Sequence, residues 1–240
     1  RQRQMCIRDR SYAVLALKNG NYVVRNPNSD GGKGSVTWGS GTSGATGTIS
    51  ASNSLVGSNT TDAVGSLAIT ELTNGNYAAR SPQWNGALGA VTWGSGTYGT
   101  VGVVGSANSL VGSTANDQVG SAALTTLANG NFVVASPNWD NGEVSEAGAV
   151  TWLNGLNGKT YGDAYGAVSS SNSLVGSTTG DHVGYGGVTK LATNSNYVVT
   201  SPNWGGTRGA VTWASGTGAT FGVVGAGNSI VGNIGSTDNV

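Results

Sequence analysis

Short apolar runs, separated by polar and glycine-rich stretches, recur along the chain in a constant order. Within residues 62–116 the runs cover residues 67–72, 77–81, 90–93 and 101–111, with a break in the last one near residues 106–108. Short runs rich in β-branched and aromatic residues and bounded by Gly, Asn or Pro are typical of strands. The pattern therefore predicts four short β-strands in each recurrence.

The residues around these runs favour antiparallel sheets. Asn74 and Gly75 follow the first run, and Asn-Gly supplies the positive φ angles of a tight hairpin. In a later recurrence Tyr197 and Val199 lie on one face of the second strand and Val198 on the other, so both faces are apolar. Such a strand has to be covered on both sides. The prediction is an all-β protein of stacked four-stranded blades, as in a β-propeller, with a β-solenoid or another stack of sheets as the alternatives.

Several phrases repeat along the chain at a basic spacing of 55 residues, as from Tyr22 to Tyr77 to Phe132. The phrase Val-Thr-Trp, the phrase Asn-Ser-Leu/Ile-Val-Gly and an Asp-x-Val phrase each occur four times. Val-Thr-Trp ends at Trp38, Trp93, Trp152 and Trp213. Asn-Ser-Leu/Ile-Val-Gly begins at Asn53, Asn108, Asn172 and Asn228. Asp-x-Val begins at Asp62, Asp117, Asp181 and Asp238. We divide the chain into unit 1 (residues 11–61), unit 2 (62–116), unit 3 (117–180) and unit 4 (181–240, with the start of a further repeat).

Unit 3 is longer than the others because it carries two insertions, around residues 140–147 and 154–164. Both insertions fall between apolar phrases, and loops accept extra residues where paired strands do not. We therefore expect two surface loops at these places in every unit.

Residues 1–10 match no part of the repeat and hold four of the 11 basic residues, one of the 11 acidic residues and the single Cys and Met. They are interpreted as a processing or sequencing scar outside the fold, with a natural basic terminus as the alternative. Residues 11–240 then carry seven basic and ten acidic residues, a net charge of −3, and no Cys. Both ends of the chain are expected to be cuts through a longer array.

This composition removes several classes of function. There is no basic patch for nucleic acid, no apolar run long enough for a membrane helix and no set of cysteines for disulfides or zinc. Only 9% of the residues are charged, which leaves few groups for acid–base catalysis. His182 is the single histidine; it occupies the variable place of the Asp-x-Val phrase and is interpreted as a solvated turn residue rather than a catalytic base.

Two recurring residue sets are candidate sites. Each Asp of the Asp-x-Val phrase either accepts backbone N–H bonds and fixes its turn or contributes to a calcium site, and one Asp per turn favours the first reading. The tryptophans that follow each proline by two residues either pack in the core or stack on sugar rings. These stacking candidates are Trp84, Trp139 and Trp204; the calcium candidates are Asp62, Asp117, Asp181 and Asp238.

The combined phrases at residues 129–139 (Asn-Gly-Asn-Phe-Val-Val-Ala-Ser-Pro-Asn-Trp), 148–152 (Gly-Ala-Val-Thr-Trp) and 172–177 (Asn-Ser-Leu-Val-Gly-Ser) carry a family resemblance. They resemble a repeat of unknown function found in tandem in large bacterial surface proteins, often labelled filamentous-haemagglutinin-like or two-partner-secretion adhesins. The resemblance covers residues 11–240, with local departures at Ser29, which stands where the other units have Trp, and at residues 194–196. It implies extracellular placement in a long surface protein.

The function expected from these observations is structural and adhesive, as a stalk or interaction platform without catalysis. The expected partners are the neighbouring repeats of the same chain and a host or cell-surface glycan or protein. The alternative is a lectin-like propeller that binds carbohydrate through the repeated tryptophans, and an enzyme is the least favoured class.

Overall fold

The computed structural model describes residues 13–218 and 220–233, so the interpretation of residues 1–10 and the prediction for Asp238 lie outside the described residues. Unit 1 contains strands β1 (Ala13–Ala16), β2 (Tyr22–Asn26), β3 (Ser35–Gly39) and β4 (Leu55–Val56). Unit 2 contains β5 (Thr70–Glu71), β6 (Tyr77–Ser81), β7 (Ala90–Gly94), β8 (Gly102–Val103) and β9 (Ser109–Val111). Unit 3 contains β10 (Thr125–Thr126), β11 (Phe132–Ser136), β12 (Ala149–Leu153), β13 (Gly166–Ala167) and β14 (Ser173–Val175). Unit 4 contains β15 (Gly187–Lys190), β16 (Tyr197–Ser201), β17 (Ala210–Ala214), β18 (Gly222–Val223) and β19 (Ile230–Val231).

Three short helical turns follow the second strands of units 1, 2 and 4: α1 (Ser29–Gly32), α2 (Trp84–Ala87) and α3 (Trp204–Thr207). Each is bent by left-handed residues at its centre, such as Asn85 with φ 49° and Gly86 with φ 70°. In unit 3 the first insertion takes the place of this turn.

The described strands form four sheets, none of which closes on itself. The orders are β1-β2-β3-β4-β8 in sheet 1, β5-β6-β7-β9-β13 in sheet 2, β10-β11-β12-β14-β18 in sheet 3 and β15-β16-β17-β19 in sheet 4. Strands of one unit pair antiparallel, whereas the last strand of sheets 1 to 3 comes from the following unit and pairs parallel. The all-β prediction is confirmed, and each unit is joined to the one before it by a strand.

The fourth predicted strand differs from the observed structure, because residues 101–111 form two strands in two different sheets. β8 joins β4 of unit 1, and β9 joins β7 of its own unit. Asn108 holds the turn between them, since its Oδ1 accepts the N–H of Gly105 at 3.0 Å and its Nδ2 donates to Val103 O at 2.9 Å. The break seen in the sequence is therefore a crossover between sheets.

The first strand and the hairpin also differ from the prediction. The strand over residues 67–72 is shortened to Thr70–Glu71. A turn closed by Ser66 N–H on Ala63 C=O at 2.9 Å precedes it, and Leu67 N–H bonds Arg80 O at 3.4 Å outside the regular ladder. In the hairpin Gly75 alone has a positive φ, 85°, while Asn74 does not. The turn is therefore a type I turn followed by a left-handed glycine rather than a two-residue Asn-Gly turn.

The core lies in three layers between successive sheets, as the two apolar strand faces predicted. Alternate residues of β6 point to opposite sides: Tyr77 and Ala79 pack against unit 1, and Ala78 packs against unit 3. The same arrangement recurs between units 3 and 4. Sheets 2 and 3 are therefore covered on both faces, whereas the outer faces of sheets 1 and 4 keep exposed apolar side chains such as Val14 (66%) and Trp213 (55%).

Burial in these layers shifts the pKa values of two tyrosines and one arginine. Desolvation raises the pKa of Tyr77 and of Tyr197 well above the ordinary value of 10.0. Desolvation lowers the pKa of Arg80, whose Nη1 donates to Ala122 O at 2.7 Å. The phenols are therefore held neutral in the core.

Candidate functional site

The aspartates of the Asp-x-Val phrase lie at the junctions between units. Asp117 Oδ2 accepts the backbone N–H groups of Ser113 and Thr114 at 2.7 and 2.8 Å, at the end of unit 2. Its Oδ1 accepts the N–H of Asp140 in unit 3 at 2.9 Å. One carboxylate thus ties the end of one unit to the turn that follows the proline of the next.

The same three bonds recur at the other two described junctions. Asp62 accepts from Ser58, Asn59 and Asn85, and Asp181 accepts from Ser177, Thr178 and Gly205, at 2.8 to 2.9 Å. All three carboxylates are at most 1% exposed. The reading in which the carboxylate fixes a turn is confirmed, and the bond to the next unit is an addition that the sequence did not predict.

These bonds leave the aspartates poorly placed for calcium. The ion takes six to eight oxygen ligands, usually from several carboxylates. Each of these three carboxylates accepts backbone N–H groups on both of its oxygens. The described residues contain no group of three or more His, Cys, Asp or Glu arranged to hold a metal. The calcium candidate Asp238 lies outside the described residues.

A second junction contact joins three side-chain N–H donors of one unit to one carbonyl of the next. Gly155 O in unit 3 accepts from Asn74 Nδ2 at 2.8 Å, Asn76 Nδ2 at 2.9 Å and Trp93 Nε1 at 2.9 Å, all in unit 2. Gly96 O and Gly216 O accept the equivalent triads, and we call each set of three donors the donor triad. The members are Asn19, Asn21 and Trp38 for Gly96, and Asn129, Asn131 and Trp152 for Gly216.

The loop that carries this carbonyl also closes over the tryptophan below it. A Cβ built on Gly158 would lie 2.2 Å from Trp93 Cβ, and one built on Gly99 would lie 2.6 Å from Trp38 Cβ. Only a residue without a side chain fits these places. The tryptophans of the Val-Thr-Trp phrase are therefore contacts between units, and the one in unit 4, Trp213, has no unit above it among the described residues.

Family comparison identifies the repeat. A family described as "Repeat of unknown function (DUF5650)" matches residues 16–66, 71–121, 126–185 and 191–240. These four matches take up most of the chain. The chain belongs to the DUF5650 family. No curated protein matches it.

The tryptophans after the prolines lie in the core between DUF5650 units. Trp84 is 8% exposed and Trp139 is 3% exposed, so neither offers a ring face to a sugar. Trp204 is half-buried, and the Arg208 guanidinium lies over its ring at 5.1 Å. The packing role that the sequence favoured for them agrees with this placement.

His182 is more enclosed than a solvated turn residue, which corrects that interpretation. Its side chain is 21% exposed, and its Nδ1 lies 3.0 Å from Pro137 O. Its Nε2 lies 3.6 Å from Glu146 Oε2, in the first insertion of unit 3. The backbone at this place is left-handed in three DUF5650 units, with φ 45° at Ala63, 47° at Gln118 and 44° at His182. Through its contact with Glu146, the His182 side chain packs against the inserted loop.

The two insertions of unit 3 differ in exposure. In the first, Gly142, Glu143, Ser145 and Glu146 are exposed. In the second, Leu156 (72%) and Tyr161 (53%) are exposed, whereas Gly155 and Gly158, which contact Trp93, are buried. The predicted surface loops therefore have an inner part that seals the junction and an outer part that faces solvent.

Sequence reasoning missed the partners of several recurring polar residues. In all four DUF5650 units the Thr of Val-Thr-Trp bonds the Ser of Asn-Ser-Leu/Ile-Val-Gly, at 2.6 to 2.7 Å. The pairs are Thr37–Ser54, Thr92–Ser109, Thr151–Ser173 and Thr212–Ser229. The signal was present, since both phrases recur in every unit, but a pairing between them needs the strand register.

No helix of the described residues is long and apolar enough to cross a membrane. The geometry that repeats from unit to unit is that of the junctions.

Proposed function

We propose that this chain is a structural and adhesive region of a secreted or surface-exposed bacterial protein, acting as a stalk or interaction platform without catalysis. The units form the stalk, and the outer parts of the unit 3 loops form the contact surface. Secretion is supported by the near absence of cysteine, which is confined to residues 1–10, and by the resemblance of the repeat phrases to those of surface adhesins.

One observation carries this proposal: the recurring polar side chains are engaged in joining one unit to the next or in joining the strands of one unit. The aspartates, the donor triads and the Thr–Ser pairs all bond other parts of the chain. The two loops of unit 3 are longer than those of the other units, and their outer parts carry exposed side chains such as Glu143 and Leu156. Loops on a rigid scaffold are where binding residues concentrate.

The test compares the full chain with a variant whose two unit 3 loops are cut back to the lengths found in unit 2. Both proteins are applied to a printed glycan array and to immobilised mucin. We expect the variant to bind its probe at least tenfold more weakly while its thermal midpoint stays within a few degrees. Equal binding by both proteins, or binding of no probe by the full chain, contradicts the platform role.

A second candidate is glycan binding through exposed aromatic residues other than those that the sequence indicated. Tyr98, Tyr161 and Phe221 follow the third strand of units 2, 3 and 4 and are 74%, 53% and 44% exposed. Tyr161 and Phe221 stack with ring centroids 5.6 Å apart. Exposed ring faces of this kind suit the apolar faces of sugars.

The glycan array separates this candidate from the first one. Tyr98→Ala and Tyr161→Ala should abolish glycan binding, because each removes one ring face. Tyr185→Ala is the matched control, since Tyr185 is 64% exposed but lies beside His182. Binding that survives both test substitutions excludes the lectin role.

We also propose that each unit is a blade of the β-propeller type. The exposed outer faces of sheets 1 and 4 favour an open stack for these four units rather than a closed ring. Negative-stain electron microscopy distinguishes the two, because an open stack gives a rod and a ring gives a disc with a central hole.

A further inference from the structure

The face of sheet 4 that points away from unit 3 has the composition of a core. Its central residues are Val198, Val211, Trp213 and Ile230, and Trp213 and Ile230 are 55% and 68% exposed. The equivalent residues of unit 3 are covered by unit 4 and are almost inaccessible. They are Val133 (0%), Val150 (1%), Trp152 (6%) and Leu174 (1%).

The donor triad of unit 4 is also in place without its acceptor. Asn194 Oδ1 accepts the N–H of Asn196 at 3.3 Å, and Asn196 Oδ1 accepts the N–H of Gly216 at 3.0 Å, as their counterparts do in unit 2. These bonds hold both side-chain amides in the orientation seen at the other junctions. Asn194 Nδ2, Asn196 Nδ2 and Trp213 Nε1 make no hydrogen bond to any described residue.

The three internal junctions show which surface fits such a face. In each of them the covering unit supplies a glycine carbonyl to the donor triad. It also supplies an aromatic residue to the core, namely Tyr77, Phe132 or Tyr197. It also supplies the tryptophan that follows its proline, namely Trp84, Trp139 or Trp204. The surface that completes sheet 4 therefore needs all three groups.

Unit 1 does not present that surface on its outer side, which argues against a second copy of the chain stacked head to tail. Ser29 stands in the place of Trp84, and Lys33 stands in the place of Leu88. Lys33 Nζ is paired with the Asp30 carboxylate at 2.7 Å; the lysine side chain is partly exposed and the aspartate side chain is exposed. Docking unit 1 on sheet 4 would leave the tryptophan's space empty and bring this ion pair against an apolar layer.

We propose that the outer face of sheet 4 docks a further DUF5650 unit, joined to unit 4 in the same chain, that carries the tryptophan after its proline. Its glycine carbonyl completes the triad of Asn194, Asn196 and Trp213. This inference concerns the packing of units and is independent of the adhesive role proposed above, since none of its measurements uses a ligand.

The experiment extends the full chain by one unit. Residues 238–240 correspond to residues 62–64, so a copy of residues 65–116 appended after Val240 continues the repeat in register. The Trp213 indole N–H signal is assigned in ¹⁵N spectra by its loss in Trp213→Phe. We expect its exchange with solvent to slow at least tenfold in the extended chain, and acrylamide quenching of Trp213 to fall. An exchange rate within twofold of that of the original chain overturns the proposal.

A matched variant tests the required chemistry. In the appended copy Trp84→Ser reproduces the outer face of unit 1, so the slowing of indole exchange should shrink to less than threefold. Full protection despite this substitution overturns the requirement for tryptophan. Sedimentation of the original chain tests the other occupant: a monomer at all concentrations supports the proposal, whereas association that is lost in Trp213→Ser shows that a second copy covers the face and overturns it.

Discussion

Asp62, Asp117 and Asp181 place polar carboxylate groups in the interior, where at most 1% of each residue is exposed. Three backbone N–H groups surround each of them, which is the kind of environment that compensates a buried carboxylate. The donors come from two different units, so the aspartate orders the loop of its own junction and places the next unit's turn. This explains why one acidic residue recurs in a chain with so few charges.

Replacing Asp117 by Asn should lower the free energy of unfolding by about 2–3 kcal/mol, because the amide group turns a donor toward a backbone N–H that has lost its acceptor. Urea denaturation measures the change. Asp163→Asn is the control, since the Asp163 side chain is exposed and makes only exposed contacts with Lys159 and Asn157, and it should cost less than about 0.5 kcal/mol. Equal losses in the two variants would contradict the buried role.

Tyr77 and Tyr197 predict a dependence of stability on alkaline pH. Their raised pKa values mean that the folded state holds the phenol protons more tightly than the unfolded state, so stability is full below the ordinary pKa of 10.0 and is lost as pH rises above it. The loss should be about 1.4 kcal/mol per pH unit for each tyrosine. Urea unfolding at pH 8, 10 and 11 measures it.

Unit 3 provides the matched control for this prediction, because Phe132 occupies the equivalent place. The variant Tyr77→Phe, Tyr197→Phe should fold and should lose most of the alkaline slope. A slope as steep as that of the parent chain would show that other groups cause it.

At the scale of strands and turns, the loop after the third strand of units 2 to 4 forms a contact with the unit before. The second residue of this loop is a glycine that touches the hairpin of its own unit, and in units 2 to 4 the carbonyl of that glycine accepts from the donor triad of the unit before. A Cβ on Gly96 would lie 1.8 Å from Gly75 O, a distance that no backbone tolerates. Close approach of two backbones is the physical reason for glycine at this position.

Gly96→Ala should therefore lower the free energy of unfolding by about 3 kcal/mol, because the loop has to move and the bonds from Asn19, Asn21 and Trp38 weaken. Gly105→Ala is the control, since a Cβ there meets nothing within 4 Å. It should change stability by less than about 0.5 kcal/mol. Thermal unfolding of both variants checks the difference. A Gly96→Ala variant as stable as the parent chain would rule out the close contact.

At the scale of the whole molecule, stability comes from the layers between sheets rather than from any single sheet. Each sheet is a ribbon of short strands with apolar residues on both faces, and it cannot bury them alone. The parallel strand that each unit gives to the preceding sheet links the units through the backbone as well. Outer sheets gain less than inner sheets because one of their faces is open.

A matched pair of tryptophans tests this picture. Trp152→Phe removes the bond to Gly216 O and leaves a gap in a buried layer, so it should cost about 2 kcal/mol. Trp213→Phe changes the same position at the open face, where nothing described covers it, and should cost less than about 0.5 kcal/mol. Denaturant unfolding compares them; equal costs would mean that the two faces are equivalent.

The sequence by itself determined the features that depend on neighbouring residues. The period of 55 residues, the second strand at Tyr77–Ser81, the third strand from Ala90 onward and the burial of both strand faces all follow from local spacing and alternation. The turn-fixing aspartate was also predictable, because a short acidic side chain next to a polar turn bonds its own backbone.

Only the tertiary structure decided how the units meet. Trp38 and Gly96 lie 58 residues apart, and nothing local to either one indicates the other. The same holds for the fourth run, whose two halves enter different sheets, and for the burial that separates Trp152 from Trp213 although both end the same Val-Thr-Trp phrase. Identical phrases have different surroundings because each unit's exposure is set by the unit stacked on it, and that is a property of the assembled molecule.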